Sequence, residues 1–413
     1  MQNTARESKA ALKLGIDASN IRQGGGVTHL SQLLQAADPG AAGISHVTVW
    51  ACKATSISLP ERPWLTKRSS PWMESGLPRR ILGQQLQLPR AMEAEGCNVA
   101  FFPGGTLPRR CASPMVTMSQ NMLPFEPKEA ARFGRWSAMR LKMWLLRHVQ
   151  GRSFRRAQGV VFLTRHAEAT ITRALGGLAG ASALIPHGIE PRFLQAPRRT
   201  RPLAECTPQQ PFRVLYVSIL MPYKHQVEVA LAASRLRAAG IPIQMRFVGA
   251  AWGRYGDRFH DLLDQLDPER KFLIWEGAEP FSSLHSIYQS SDAFVFASSC
   301  ENLPNILIEA MAAGLPIASS NRGPMPEVLG DAGVYFDPEV PESLDAALCD
   351  LIRDAPLRAK LADAAWRKAA NISWERCAQE TFAFIATVAD DGHFSDQPAS
   401  YAMTTFANRT AVS

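Results

Sequence analysis

Two glutamates, Glu301 and Glu309, stand eight positions apart in the segment ENLPNILIEAMAAG. A carboxylate accepts hydrogen bonds from hydroxyl groups, so the ribose diol of a nucleotide and the ring hydroxyls of a sugar are natural targets for such a pair. A carboxylate aimed at a phosphate would instead repel it. The alternative is a helix-start glutamate followed by a buried glutamate with protein partners. The pattern alone leaves both interpretations open.

The elements around these glutamates place them at a helix N-terminus. The apolar run DAFVFAS predicts a strand, and Pro304 suits the first position of the following helix. Glu301, Asn302 and Leu303 are then predicted to lie in the loop before that helix. Free backbone amides and the helix dipole favour an anion there. We expect the amides to hold a diphosphate, one glutamate to bind ribose, and the other to bind the transferred sugar.

Composition and charge narrow the class of protein. The chain has 413 residues, 46% of them apolar and 20% charged, which is typical of a globular protein of two domains. A formal net charge of +8 and a pI near 9.3 favour an anionic partner. That partner is nucleic acid, a phospholipid surface or a phosphorylated small molecule.

The expected compartment is the cytoplasm. No apolar run is long enough to span a membrane, and the first residues lack the apolar core of a signal peptide. The seven cysteines are scattered and contain no Cys-x-x-Cys pair. This pattern predicts reduced thiols rather than disulfides or a zinc site.

Short apolar strands alternate with helical segments along most of the chain, which predicts parallel sheets covered on both faces. The alternation stops in a proline-rich polar segment and then starts afresh. We therefore predict an α/β protein of two Rossmann-like domains whose sheets face each other across a cleft, the expected site. The predicted parts are an N-terminal domain over 1–195, a linker over 196–210, a C-terminal domain over 211–371, a helix over 372–389 and a disordered tail over 390–413.

The segment CENLPNILIEAMAAGLPIASSNRGPMPEVLGDAGVYFDP resembles the core signature of the family-4 retaining glycosyltransferases (glycosyl transferase group 1) of the GT-B type. Glu301 and Glu309 match the E-x7-E motif of that family, and the flanking residues match as well. Three more segments are similar to parts of the family: IRQGGGVTHL to its first glycine-rich loop, LIPHGIEPRF to the end of its N-terminal domain, and YVSILMPYKHQ to the start of its C-terminal domain. The resemblance implies that the helix over 372–389 crosses back to the N-terminal domain.

The resemblance also implies a reaction. A sugar is transferred from a nucleotide-diphosphate donor to an acceptor with retained anomeric configuration, without a metal or other cofactor. Lys224 and Glu301 are the implied catalytic residues, with the ammonium group stabilising the leaving diphosphate. Family members usually carry an arginine five residues before that lysine, where this chain has Ile219. Lys224 and backbone amides are therefore expected to stabilise more of the charge.

Further donor contacts follow from the resemblance. Gly25 and Gly26 let the backbone approach the diphosphate closely. Gly249 and the turn around Gly277 are expected to form a backbone pocket for the nucleobase. Asn302, Leu303 and Glu309 join them in the implied donor site.

The N-terminal side of the site departs from the family pattern. Many relatives carry a histidine near the donor sugar, where this chain has Gln120 and Asn121. An amide can bond a sugar hydroxyl but is no general base, which favours a front-face reaction in which the leaving phosphate accepts the proton. His187 is interpreted as a structural hinge residue, and His29 as a packing or capping residue.

A basic amphipathic segment lies over 128–156. It contains nine arginines and lysines and a single acid, Glu129, with aromatic and methionine side chains interleaved at helical spacing. Such a helix can lie on an anionic membrane and bring the cleft to a lipid-linked acceptor. The alternative is that the aromatic side chains belong to the core and the arginines form a solvated rim.

The sequence therefore predicts a retaining hexosyltransferase that uses a nucleotide-diphosphate sugar. A GDP-sugar is favoured, because YVSILMPYKHQ is similar to segments of O-antigen glycosyltransferases that use GDP-sugars. The expected acceptor is a glycan or lipid-linked saccharide of a surface polysaccharide, and the sugar is mannose-like or rhamnose-like. The rival interpretations are a non-catalytic nucleotide-sugar-binding relative, an epimerase of the same fold, and a nucleic-acid-binding protein, for which we find no groove-binding or stacking motif.

Overall fold

The computed structural model describes residues 11–391 apart from Gln23, Arg135, Thr200 and Trp252. Over these residues the chain forms two α/β domains, each built on a parallel sheet, which confirms the predicted fold class. The predicted tail lies outside the described residues from position 392 onwards.

The N-terminal domain is a seven-stranded parallel sheet in the order β3-β2-β1-β4-β5-β6-β7. Its strands are β1 Leu12–Ala18, β2 Ile44–Ala51, β3 Leu65–Arg68, β4 Val99–Phe102, β5 Met115–Met118, β6 Gly159–Phe162 and β7 Ala181–Leu184. Its helices are α1 Gly25–Ala36, α2 Lys53–Ser58, α3 Leu77–Ala94, α4 Pro127–Ala131, α5 Ala138–Arg156 and α6 Arg165–Leu175. Strands β4, β5 and β6 are fully buried, because helices cover both faces of the sheet.

The C-terminal domain is a six-stranded parallel sheet in the order β10-β9-β8-β11-β12-β13. Its strands are β8 Phe212–Val217, β9 Ile243–Val248, β10 Leu273–Trp275, β11 Ala293–Phe296, β12 Ile317–Ser320 and β13 Val334–Phe336. The helices from here to the end are α7 Gln226–Ala238, α8 Gly253–Leu266, α9 Leu284–Gln289, α10 Asn305–Ala312, α11 Met325–Leu329, α12 Pro341–Arg353, α13 Ala355–Ala369 and α14 Trp374–Asp391.

One strand was not predicted from the sequence. The strand β3 has the sequence LTKR, lies at the edge of the sheet beside β2, and has only Leu65 fully buried. An edge strand can keep most of its side chains in solvent, so its sequence lacks the apolar run that marks a central strand. The other strands overlap the apolar runs that predicted them.

The connection between the domains lies along the C-terminal one. The backbone N–H of Gln195 donates to the Ala312 carbonyl at 2.8 Å, and Arg198 donates to the Ser291 carbonyl at 2.6 Å. The segment predicted as a linker, 196–210, is therefore attached to one domain rather than extended between two.

The last helix, α14, packs on the N-terminal domain although it follows the C-terminal one. It contacts α1 and the strands β4 and β6. A Cβ added to Gly159 of β6 would lie 2.9 Å from Val388 and 3.0 Å from Phe384, so the helix lies directly on the sheet there. This is the crossing that the resemblance implies for residues 372–389.

Two apolar cores cover the two faces of the N-terminal sheet. One face packs against α1 and α14, and its core continues into the C-terminal domain. The other face packs against α3 and α5 in a separate core. Among the described helices, none is both long enough and apolar enough to cross a membrane.

Candidate active site

A cavity of about 530 Å³ lies between the two domains, at the carboxyl ends of their strands. The N-terminal domain contributes the start of α1 and the segment that follows β7. The C-terminal domain contributes the loops after β8, β9 and β11. Loops and helix N-termini of parallel sheets converge at this edge, which is why ligands bind there. The predicted site residues that line the cavity are Gly25, Gly249, Glu301, Leu303 and Glu309.

The glycine-rich loop brings a helix N-terminus to the cavity. Gly24 has φ 68° and ψ −154°, a conformation restricted to glycine, and α1 begins at Gly25. Both residues line the cavity. Gly26 does not, and a Cβ at that position would lie 3.4 Å from Gln120 Oε1. Since the first amides of a helix lack intrahelical acceptors, this end of α1 suits an anion.

Glu301 lines the cavity, whereas Lys224 lies beside it. Lys224 ends the short 3-10 helix Pro222–Lys224 and is 5% exposed. Its Nζ donates a short hydrogen bond to Glu301 Oε1 and lies 5.3 Å from the Tyr223 ring and 5.6 Å from the Phe296 ring. The two predicted catalytic residues thus form a nearly buried ion pair, supported by cation–π contacts, with the carboxylate at the cavity.

Glu309 is held in the cavity wall by a tyrosine. It lies in the second turn of α10. The sequence suggested that Pro304 is the first helical residue, but the helix begins at Asn305 and Pro304 is its N-cap. Glu309 is 7% exposed and accepts a hydrogen bond from Tyr288 Oη at 3.0 Å. Burial raises the pKa of this carboxyl to about 7, because the tyrosine offsets only part of the desolvation.

Asn302 joins the two domains instead of lining the cavity. Its Nδ2 donates to Ser119 Oγ at 2.9 Å, and its carbonyl accepts from Thr164 Oγ1 at 2.9 Å. Both partners belong to the N-terminal domain. The sequence gives no local signal for this contact, since the partners lie 183 and 138 residues away. A donor contact of Asn302 stays a prediction.

Gly249 must be glycine for steric reasons. Its φ is 149°, and a Cβ would lie 1.9 Å from the Ser218 carbonyl oxygen. Its N–H donates to the Gly277 carbonyl at 2.6 Å, and its carbonyl accepts from Trp275 Nε1 at 2.9 Å. Gly249 therefore lines the cavity and Gly277 supports it from outside the lining. The assignment of this wall to a nucleobase stays a prediction.

Gln120 and Asn121 lie near the cavity but outside its lining. The Asn121 Oδ1 accepts from the Leu123 N–H at 3.1 Å. The Gln120 Nε2 lies 3.4 Å from His29 Nδ1. Gln120 therefore supports a cavity residue, and the sugar contact expected of both amides stays a prediction.

A stack of three rings in the N-terminal wall was not predicted from the sequence. His29, His187 and Trp374 all line the cavity. The ring centroids of the two histidines are 4.3 Å apart, and those of His187 and Trp374 are 5.6 Å apart. Burial lowers the pKa of His29 well below its ordinary value and that of His187 to about 4. Both imidazoles are therefore neutral at pH 7.

Each of these imidazoles has a nitrogen without a partner. The Nδ1 atoms of His29 and His187 lie 3.4 Å from Gln120 Nε2 and Asn305 Nδ2, respectively. Because an amide nitrogen only donates, these contacts assign the ring protons to Nε2. Both Nε2 atoms are buried without a hydrogen-bond partner among the described residues. A ligand oxygen in the cavity would satisfy them.

The charges that line the cavity are acidic. Within the described part of the chain, the lining includes no lysine or arginine, and its ionisable acids are Glu190, Glu279, Glu301 and Glu309. Ile219, at the position of the family arginine, lines the cavity and is 43% exposed. Positive potential for an anion thus comes from the N-termini of α1 and α10 and from two cations behind the lining, Lys224 paired with Glu301 and Arg192 paired with Glu190. The described residues contain no group of three or more metal-ligating side chains.

Known proteins resemble this chain in sequence and in fold. Residues 204–368 match the family described as glycosyl transferases group 1. Over 185 residues the chain is 26% identical to O-antigen chain mannosyltransferase B of Escherichia coli, an alignment that covers 43% of this chain and 48% of that protein. The chain thus spans about half the length of the curated relatives that it matches.

Two solved structures share the fold over nearly the whole chain. Sucrose-phosphate synthase from Thermosynechococcus elongatus has a TM-score of 0.68 at 19% identity, covering 90% of this chain and 97% of that one. The Anabaena protein HepE in complex with UDP-glucose has a TM-score of 0.66 at 17% identity, covering 92% and 100%. Residues 204–368 are thus similar to the group 1 glycosyl transferases, and the fold of the described residues is GT-B.

Proposed function

We infer that this protein transfers a hexose from a nucleotide-diphosphate sugar to a glycan or lipid-linked saccharide. The observation that carries this inference is the cavity, where two helix N-termini and the carboxylates of Glu301 and Glu309 face one space between two sheets. A diphosphate suits the helix N-termini, and hydroxyls suit the carboxylates. The family match of residues 204–368 supports the same class of donor.

The donor is proposed to lie with its diphosphate between the starts of α1 and α10. Glu309 is assigned to the ribose. Its hydrogen-bond partner Tyr288 belongs to α9, and the first residue of that helix, Leu284, lines the cavity together with Phe281. Glu301 is assigned to the transferred sugar, since its carboxylate lines the cavity and is paired with Lys224, the cation assigned to the leaving diphosphate. The Nε2–H groups of the two histidines are placed to donate to donor or acceptor oxygens.

The proposed reaction retains the anomeric configuration. The bond between C1 and the phosphate oxygen breaks, the acceptor oxygen attacks C1 from the same face, and a phosphate oxygen takes the acceptor's proton. Gln120 has no basic nitrogen, and a pKa of about 4 makes His187 a weak base at neutral pH, which supports proton transfer to phosphate. Lys224 and the helix N-termini stabilise the charge on the diphosphate, so the scheme needs no metal.

The sugar and the pathway are proposed from relatives. O-antigen chain mannosyltransferase B is similar over 185 residues, which supports a mannose-like or rhamnose-like sugar and a surface polysaccharide. GDP is the favoured nucleotide, and UDP is its rival because HepE was solved with UDP-glucose. The proposed location is the cytoplasmic face of the membrane, where lipid-linked acceptors would be met.

A thermal-shift series with UDP, GDP, ADP, dTDP and CMP tests the donor site. A ligand that binds only the native state stabilises it by about 2.7 kcal/mol at a hundredfold excess over Kd. We expect GDP to raise the melting temperature of the wild type. The rise should shrink in Glu309→Ala and in the more conservative Glu309→Gln. The matched control is Glu342→Ala, an exposed glutamate outside the cavity lining.

Hydrolysis of the stabilising nucleotide's sugar separates an enzyme from a non-catalytic relative. Slow release of free sugar that depends on Glu301 supports the transferase. Nucleotide binding without any hydrolysis or transfer would favour the non-catalytic relative. Release of an epimerised sugar would instead favour the epimerase.

A further inference from the structure

Large apolar side chains are exposed on two helices of the N-terminal domain. On α3 they are between 47 and 56% exposed: Leu77, Ile81, Leu82 and Leu86. On α5 and just before it they are between 49 and 92% exposed: Trp136, Leu141, Trp144, Leu145 and Val149. Single exposed apolar residues are common on proteins, but a cluster of this size marks an interaction site.

Both helices cover the same face of the N-terminal sheet. Their inner side chains share one core: Leu88, Met92, Met143 and Phe154. The loop after β4 bridges them, because the Leu107 carbonyl accepts from Gln85 Nε2 at 3.2 Å and the Leu107 N–H donates to Ser153 Oγ at 3.0 Å. The outer sides of α3 and α5 are therefore neighbouring parts of one surface, which we call the α3–α5 surface.

The exposed residues of α5 form a stripe along the helix. Leu141, Leu145 and Val149 recur every fourth residue, so they share one side, while Met143 and Phe154 fill the core. The alternative in which the aromatic side chains of residues 128–156 belong to the core is therefore wrong for Trp144, which is 56% exposed.

The charge on the α3–α5 surface is predominantly positive. The helix α5 contains six basic residues and no acid: Arg140, Lys142, Arg147, Arg152, Arg155 and Arg156. The helix α3 contains three arginines, Arg79, Arg80 and Arg90, and one acid, the exposed Glu93 near its C-terminal end. Anionic lipid headgroups would pair with these cations while the acyl region takes up the apolar side chains. A second copy of the chain would present the same positive charge and be repelled.

One end of the α3–α5 surface adjoins the active-site cleft. Glu129 of α4, which precedes α5, accepts a hydrogen bond from Ser299 Oγ. Ser299 lies in the loop after β11, two residues before Glu301. A bilayer on this surface would therefore hold a lipid-linked acceptor near the mouth of the cavity.

We propose that the outer sides of α3 and α5 together bind an anionic lipid bilayer. The sequence offered membrane contact through residues 128–156 as one of two alternatives, and this proposal adds α3 as a second contact helix. The presentation of a lipid-linked acceptor rests on the proposed function, but the binding itself does not.

Co-sedimentation of the full chain with vesicles tests the proposal. Vesicles of phosphatidylglycerol mixed with phosphatidylcholine should bind the protein about tenfold more strongly than phosphatidylcholine alone, and added salt should weaken that binding. Equal binding to both kinds of vesicle, or none to either, would overturn the proposal.

Paired substitutions locate the contact. Trp144→Glu with Leu145→Glu on α5, and Leu82→Glu with Leu86→Glu on α3, should each lower binding about tenfold by placing carboxylates against the headgroups. The matched control is Ile57→Glu, because Ile57 is 84% exposed on α2, which packs beside α1 on the other face of the sheet. All three variants should keep the wild-type melting temperature, since the replaced side chains are exposed.

Two results would contradict the two-helix surface. The first is wild-type binding by the α3 variant, which would confine the contact to α5. The second is a concentration-dependent dimer in light scattering that the same substitutions abolish, which would make the surface an interface between copies. Donor hydrolysis is measured on every variant, so loss of vesicle binding with intact hydrolysis separates this proposal from the proposed reaction.

Discussion

The two glutamates of the C-terminal wall and the two histidines of the N-terminal wall differ in how their polar atoms are paired. In the C-terminal wall each functional carboxylate has a protein partner, Lys224 for Glu301 and Tyr288 for Glu309. In the N-terminal wall, His29 and His187 keep Nε2 atoms that have no partner among the described residues. Both walls line the same cavity.

This difference has an energetic consequence. Removing one member of a buried pair leaves the other desolvated and unpaired, which lowers stability strongly. An imidazole nitrogen that already lacks a partner reduces the stability of the ligand-free protein, so its removal costs little. The two carboxylates of the C-terminal wall are thus preorganised by the protein, whereas the Nε2 atoms of the two histidines gain a hydrogen bond only from a ligand.

The largest predicted effect is at the ion pair. Lys224→Met leaves the Glu301 carboxylate, with its side chain only 15% exposed, without its cation. We expect the free energy of unfolding to fall by about 3–5 kcal/mol and donor hydrolysis to be lost. Urea denaturation measures the first effect.

Lys271→Met is the matched control for that variant. Lys271 pairs with Glu269 on the surface, where both side chains are more than two-thirds exposed. Such an exposed pair is solvated and screened by salt, so this variant should unfold like the wild type. Equal stability of the two variants would show that the buried pair is not a special feature of the C-terminal wall.

The next largest effect is predicted for the dependence of stability on pH. The native pKa of Glu309 is raised from 4.5 to about 7, so the native state holds this proton more tightly than the unfolded state. The contribution of this proton to the free energy of unfolding is therefore fully present below pH 4.5 and is lost as the pH rises through about 7. The total loss is about 3 kcal/mol. Donor binding should change in the opposite direction, because the carboxylate that accepts ribose hydroxyls forms as the pH rises.

Comparison with Glu309→Gln isolates this group. The difference in unfolding free energy between wild type and Glu309→Gln should change between pH 5 and pH 8 and then level off. A difference that is flat across this range would mean that Glu309 titrates normally.

The smallest effects compare the two walls directly. Tyr288→Phe removes the donor to Glu309 and should lower the unfolding free energy by about 1–3 kcal/mol. His187→Phe keeps a ring against Trp374 and removes two nitrogens: Nε2, which has no partner among the described residues, and Nδ1, whose contact with Asn305 Nδ2 is long at 3.4 Å. Stability should therefore stay within about 1 kcal/mol of the wild type. Stabilisation by the cognate nucleotide sugar should nevertheless shrink in His187→Phe. If His187→Phe is as destabilising as Tyr288→Phe, the contrast between the walls is wrong.

Much of the C-terminal wall was predictable because its signals are local. A strand, a loop and a helix start follow one another around Glu301, so the spacing alone put Glu301 and Glu309 near a helix N-terminus. The glycine-rich loop before α1 was predictable for the same reason. The sequence did not show that Lys224 would bond to Glu301 instead of lining the cavity, since 77 residues separate them.

The N-terminal wall was predicted less well because its partners are distant in sequence. His29 and His187 were interpreted as packing and hinge residues, and only the glycines near each of them hinted at a cavity. The edge strand β3 was not predicted because solvent, rather than a helix, covers most of its side chains. The donor contact of Asn302 stays a prediction, and its hydrogen bonds to Ser119 and Thr164 were not predictable because both partners belong to the other domain.

By itself, the sequence determined the alternation of strands and helices, the two α/β domains and the placement of two carboxylates beside a helix N-terminus. These features depend on residue type and spacing within one or two elements. Only the tertiary structure decided which groups pair across the cleft, which histidine nitrogens lack partners, and that α3 and α5 present apolar side chains on one surface. Those outcomes depend on how the sheets twist and how the helices pack, which sets distances between residues far apart in the chain.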